Sequence, residues 1–178
     1  METRPDHLTV PRKWLRHGLL CLLGFIAIIS LTAARRPPTA PAGVSGWTVV
    51  EKSATGDDTA TIQAAIDSVA QTGGVVFFPA GTYRHTGLTG RANVHLKGVH
   101  VSSVKLDYTP RTGDGITLAP DPNNFMVSDL TLDSSGRSSG WGIRAEAGTH
   151  RSMRIERTRV VGFENGILVS NALCVSVR

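Results

Sequence analysis

Two interleaved series of short apolar segments constrain this chain more than anything else in it. The first is Leu96–Val101, Val127–Leu132 and Ile155–Val160, spaced by 31 and 28 residues. The second is a Gly-Ile pair at Gly115-Ile116, Gly142-Ile143 and Gly166-Ile167, spaced by 27 and 24. Each repeat thus carries at least two short strands with turns between them. Units of this length cannot bury an apolar face alone and must stack on their neighbours. Helical solenoids need two amphipathic helices per unit, and after Gly74 none follows any strand. A doubly wound nucleotide fold fails on the same point, and no glycine fingerprint opens a helix. The pattern predicts a solenoid of strands whose interior is lined by Leu96, Val99, Ile116, Val127, Leu130, Leu132, Ile143, Ile155, Val160 and Ile167.

The segment Gly56–Gly87 shows how such a solenoid could begin. Asp57 and Asp58 precede a stripe of Ile62, Ala65, Ile66 and Val69 at i, i+3, i+4 and i+7, the spacing of one helix face. Asp58 is placed to accept from the first free backbone N–H groups, and both carboxylates suit the positive end of the helix dipole. The pair therefore reads as a helix cap in preference to two catalytic acids. Gly73-Gly74 ends the helix, and Val75–Phe78 is a continuous apolar run of the kind parallel strands show.

Read whole, Gly-Asp-Asp-Thr-Ala-Thr-Ile-Gln-Ala-Ala-Ile-Asp followed by Gly-Gly-Val-Val-Phe-Phe-Pro-Ala-Gly-Thr-Tyr resembles the opening of a pectate lyase superfamily domain. The similarity is to the rhamnogalacturonase-like and epimerase-like branch, spans roughly Trp47–Asn171, and is strongest over Gly56–Gly87. It implies an all-β, right-handed parallel β-helix, a single-stranded solenoid, with an N-terminal capping α-helix that plugs its open end. It also implies a polysaccharide partner, an acidic glycan processed by lyase, hydrolase or epimerase chemistry. Calcium is implied for some lyases of this kind; no cofactor is otherwise evident. The Asn-Thr-Asp, Asp-Asp, Gly-His-Gly and Arg-Ile-Lys motifs of the hydrolase members do not occur as such, so the resemblance transfers no catalytic residue.

The first 36 residues read as an address. Arg12, Lys13 and Arg16 precede 17 uncharged residues, Gly18–Ala34, which is either a secretory signal or a signal anchor (a transmembrane helix if uncleaved). Both place the domain outside the cytoplasm, secreted or membrane-anchored. Residues 37–46, rich in proline and small side chains, form a linker, and residues 47–178 the solenoid. Asn171–Arg178 breaks off in mid-pattern without a polar cap, so the β-helix reads as truncated at its C-terminal side.

The net charge of +5 does not indicate nucleic acid. Six of the 19 Lys/Arg and two of the 14 Asp/Glu lie in residues 1–36, leaving 13 against 12 for the rest. The basic run Arg154, Arg157 and Arg159 reads as a solvated strand face. Cys21 and Cys174 are the only cysteines, too few for a disulfide framework or a thiolate metal site. His85, His95, His100 and His150 lack metal-ligand spacing, and no metal site is expected.

Chemistry on a uronate polymer needs a cation at the C5 carboxylate and a base for the C5 proton. The candidates fall in and beside three polar excursions, Asp107–Gly115, Ala119–Asn124 and Ser134–Gly140, which in solenoids collect on one side. Asp107, Asp114 and Arg111 are the candidate catalytic residues. Trp141, Tyr108 and Arg144 are the candidate substrate contacts, Trp141 because an aromatic face stacks on a pyranose. Asp129, Asp133, Glu146 and Glu164 could line an outer face. The competing readings are a glycan-binding or surface-attachment β-helix without catalysis, and an inactive fragment.

Overall fold

Every strand pairing is parallel, and the chain climbs through about five turns of an all-β solenoid. The computed structural model describes residues 46–146 and 148–178, and these belong to one compact unit, Ala40–Arg178. The apolar run at 18–34 lies outside the described residues; among those described, no helix is long and apolar enough to cross a membrane.

The chain enters through β1 (Trp47–Val49) and α1 (Thr59–Ala70). The first coil is β2 (Gly74–Phe78), β3 (Gly81–His85) and β4 (Leu88–Gly90). The second is β5 (Val94–Gly98), β6 (Val104–Tyr108) and β7 (Ile116–Leu118). The third is β8 (Met126–Ser128), the long β9 (Thr131–Ala145) and β10 (His150–Arg151). Then follow β11 (Arg154–Glu156), β12 (Arg159–Val169), β13 (Ala172–Leu173) and β14 (Ser176–Val177). One sheet, here sheet A, stacks β1-β2-β5-β8-β11-β14; a second, sheet B, stacks β3-β6-β9 and β4-β7-β9, with β12 on β9.

The repeat spacing translates directly into register. Leu96 pairs with Val127 and Val127 with Ile155; Ile116 pairs with Ile143 and Ile143 with Ile167. These side chains alternate inward along each strand and fill the interior. Leu96, Ile116, Val127, Leu130, Leu132, Ile143 and Ile155 are buried, and Val160 and Ile167 pack partly buried against them.

Val99 is a correction, being 52% exposed. Val94, Leu96 and Gly98 point inward, so the next residue must point out, and residues 99–103 leave the coil as a turn. Gly98 is required where it stands, because a Cβ there would overlap the Asp129 carbonyl of the next coil. The turn also displaces the expected pairing of the first series: the partner of Leu132 is Leu106 and not Val101.

The helix buries the predicted stripe, Ile62, Ala65, Ile66 and Val69, against β1, β2, β4 and β5. Its capping differs from expectation. Asp57 Oδ1 accepts from the Thr59 backbone N–H at 2.9 Å and from its hydroxyl at 2.6 Å. The Asp58 carboxylate makes no cap bond. It is buried and accepts instead from the backbone N–H groups of Ser53 (2.5 Å) and Arg84 (3.0 Å), tying the entering chain to β3.

Candidate functional site

On the outer face of sheet B the pleat presents alternate residues, and stacking lines them up across coils. Thr82, Lys105, Thr131 and Arg159 form one row; Arg84, Asp107, Asp133 and Val161 form the next. Lys105 Nζ sits between two carboxylates, 3.1 Å from Asp107 and 3.0 Å from Asp133. Asp107 also accepts from the Ser135 hydroxyl at 3.3 Å and lies 3.8 Å from Arg84. The hydrogen bonds to Asp107 and Asp133 raise the Lys105 pKa, so its charge persists at neutral pH. Burial opposes ionisation of Asp133, but the Ser135 backbone N–H (2.7 Å) and Lys105 hold its carboxyl below the usual value.

Two clefts flank this cluster. One, of about 360 Å³, is lined by Arg84, Asp107, Thr109, Arg111 and Ser135, with Tyr108 at its base. The other, of about 410 Å³, is lined by Ser102, Lys105, Thr131, Asp133 and Arg159. Arg111 and Arg159 make no ion pair among the described residues. The face therefore offers cations that its own carboxylates do not neutralise.

A second cluster forms farther along β9. Asp114 accepts from the Trp141 backbone N–H at 2.8 Å, and its other oxygen lies 3.3 Å from Arg144. Arg144 also donates to Glu146 from Nε at 2.8 Å, and these two carboxylates raise its pKa further. The excursions that carry these residues stack on each other. The Ser138 hydroxyl donates to the Gly113 carbonyl at 2.7 Å, and the Ser139 N–H to the Arg111 carbonyl at 3.1 Å. The third excursion does not join them: Asp121 accepts from the Thr149 N–H at 2.6 Å, and the Asn124 N–H donates to the Arg151 carbonyl at 2.9 Å.

Residues 51–101 match the family model described as rhamnogalacturonase A/epimerase, pectate lyase-like. Among curated relatives, mannuronan C5-epimerases AlgE2 and AlgE5 of Azotobacter vinelandii are each 35% identical over 127 residues. The match covers 58% of this chain and 13% of either protein, so the chain spans about an eighth of those relatives. Among solved structures, the A-module of mannuronan C-5 epimerase AlgE4 from the same organism superposes with a TM-score of 0.53 at 27% identity. That match covers 64% of this chain and 38% of that one. The AlgE6 A-module gives 0.54 at 26%, covering 65% and 39%. Over part of its length the chain is thus similar to pectate lyase-like, epimerase-like β-helices.

Within this β-helix the sequence candidates separate. Asp107 and Arg111 line the first cleft; Asp114, Trp141 and Arg144 belong to the second cluster. Tyr108, expected as a sugar contact, is 3% exposed: its ring packs between His85 and Phe163, each centroid 5.5 Å away, and its hydroxyl donates to the Thr112 carbonyl at 2.7 Å. Burial, with Asp114 nearby, pushes its pKa up. Arg154, Arg157 and Arg159 do not share a face. Arg154 lies in sheet A and Arg159 in sheet B, and Arg157 turns the corner between them with a left-handed φ of 46°.

Lys105, Arg84 and Arg159 had no distinctive sequence signal singly. Their two rows become readable only once Leu106 is aligned with Leu132. Among the described residues no group of three His, Cys, Asp or Glu is placed to hold a metal ion. Calcium has no ready seat between Asp107 and Asp133, because Lys105 Nζ bridges them.

Proposed function

We propose that this domain binds an acidic polysaccharide, a uronate polymer of the mannuronan type, along the outer face of sheet B, and acts on it by epimerase chemistry. The observation that carries this reading is the placement of Lys105 between Asp107 and Asp133, with Arg111 and Arg159 lining the flanking clefts. A C5 epimerase removes the proton at C5 and returns one to the opposite face of the ring. Negative charge develops on the adjacent carboxylate in between, and a fixed cation there stabilises it. Lys105 and Arg111 supply that charge. Asp107, open to the cleft, is the group placed to accept the C5 proton. The likeness to mannuronan C5-epimerases over part of their length supports the substrate class and the reaction.

The same proposal has α1 covering the strand edges of the first coil, and the segment before residue 37 carrying the domain out of the cytoplasm. One observation favours binding without turnover: both oxygens of Asp114 are already engaged, by Trp141 and Arg144.

Calorimetry with oligomannuronate, alongside a neutral oligosaccharide of equal length, tests the binding. Proton NMR in D2O, following exchange at C5, tests the chemistry. Replacing Lys105 by Met or Arg111 by Ala removes a charge-assisted contact of about 1.5–3 kcal/mol, a loss of roughly ten- to hundredfold in affinity. Equal affinity for the neutral sugar would sink the reading. Saturable binding with no deuterium at C5 would leave the glycan-binding module in its place.

A further inference from the structure

A third cleft, of about 450 Å³, continues the face beyond the first coil; Lys52, Ser53, Gly56, Asp58, Thr82 and Arg84 line it. Arg84 lines the Asp107/Arg111 cleft as well, so the two adjoin at its side chain. That side chain is 66% exposed, and the carboxylate it approaches, Asp107 at 3.8 Å, is already held by Lys105 at 3.1 Å. Lys52 is exposed, makes no ion pair among the described residues, and lies 5.9 Å from the centre of the Tyr83 ring.

The acidic groups beside this cleft do not cancel these charges. Asp58 is buried with both oxygens on backbone N–H groups, and Asp57 is bonded to Thr59. Lys52 thus stands over an open cleft with no ion pair among the described residues, and Arg84 shares its one carboxylate, Asp107, with Lys105.

We infer that Lys52 and Arg84 form a separate subsite for the carboxylate of a neighbouring sugar, so that the protein binds an oligouronate of several residues and not a single one. The inference rests on the reading of sheet B as a uronate-binding face. Coils stack about 4.8 Å apart, an advance comparable to that of one 1,4-linked pyranose. A polymer running along the solenoid would then meet Lys52, Arg84, Lys105 and Arg159 in succession, one coil contributing no cation to the rows. Arg84, standing between two clefts, contacts the sugars on either side.

Calorimetry on the full chain with oligomannuronates of one to six residues tests this, comparing the native sequence with Lys52→Ala and Arg84→Ala. Thermal unfolding serves as the control for folding. Affinity of the native sequence is expected to rise with length. Lys52→Ala should lose about tenfold for the longer oligomers, the scale of one ionic contact, and nothing for the shortest. Arg84→Ala should weaken both. Lys52→Ala matching the native sequence at every length, while oligouronates still bind, overturns the subsite alone. Absence of any oligouronate binding to the native sequence overturns the uronate-binding face itself, and the subsite with it.

Discussion

Sheets A and B both carry charged rows on their outer faces, yet they use them differently. Along the edge of sheet A, where Asp129 and Arg157 turn the corner towards sheet B, the charges close on themselves. Asp129 takes two bonds from Arg157, at 2.6 and 3.0 Å, one from the Ser128 hydroxyl at 2.9 Å, and lies 3.6 Å from Lys97. Arg157 above all holds the Asp129 pKa down at about 2. Even His95 is drawn in, its Nε2 2.8 Å from the Ser128 hydroxyl. On sheet B a single lysine serves two carboxylates, while Arg84 is loosely held and Arg111 and Arg159 stand by open clefts. The number of charges does not separate a binding face from a solvated one; the state of their pairing does.

Both faces depend on the one interior they share, and this is where the largest effect lies. Leu132 is fully buried and pairs with Leu106 and Val160 beneath the Asp107/Asp133 row. Leu132→Ala should cost about 2–5 kcal/mol, from lost burial plus the cavity it leaves. In urea titrations this variant should unfold well before the Lys105→Met and Arg111→Ala variants. Outward variants that destabilise as much would mean that the face builds the fold, and that sheet B is no freer for a ligand than sheet A.

Acid separates the two sides. His85, one residue past Arg84, is fully buried, and neither ring nitrogen has a hydrogen-bond partner. Burial pulls its pKa from 6.5 to about 4, against the smaller opposing pull of Asp107 and Asp57. Below pH 6.5 the unfolded chain takes up a proton that the folded one refuses. Stability falls as pH drops from 6.5 towards 4, by about 3 kcal/mol over the window. The contribution of Asp129 is also lost on acidification, but only from its ordinary value of 3.8 down to about 2. Unfolding midpoints should therefore fall first on account of His85, with His95, whose pKa burial also lowers, adding to the fall. His85→Phe should flatten the slope between pH 6.5 and 4; an unchanged slope would show that another group sets it.

The coil register was readable because parallel stacking repeats one apolar pattern. Leu96, Val127 and Ile155 recur in register, as do Ile116, Ile143 and Ile167. The amphipathic stripe of α1 was equally plain. The functional face was less so, for a reason that can be named. Residues 99–103 form a turn in the second coil, whereas in the third Asp129 and Leu130 alone separate β8 from β9. That difference hides the alignment of Asp107 with Asp133 and of Lys105 with Thr131. The inward orientation of Tyr108 is hidden with it. Once Val104, Leu106 and Tyr108 are seen as alternate residues of one strand, all three point inward, and the outward side chains are Lys105 and Asp107. Asp57 and Asp58 illustrate a different limit: acidic residues before a helix announce its start, but not which of them caps it and which turns back to hold β3.

The smallest effect bears most directly on the contrast between the faces. Arg157→Met removes the principal partner of Asp129 while leaving Lys97 and Ser128 beside it. Arg157 is 59% exposed, so the loss should be about 0.2–1 kcal/mol, the range of surface ion pairs, and should shrink in high salt. Its affinity for oligomannuronate should match that of the native sequence. Lys105→Met differs in kind: stability changes little, because Asp107 and Asp133 lose a cation but gain access to water, while binding falls. Differential scanning calorimetry at low and high salt reads the first quantity and titration calorimetry the second. If Arg157→Met weakened binding as Lys105→Met does, closed ion pairing on sheet A would not mark a bystander face, and pairing state would fail as the criterion that tells the two sheets apart.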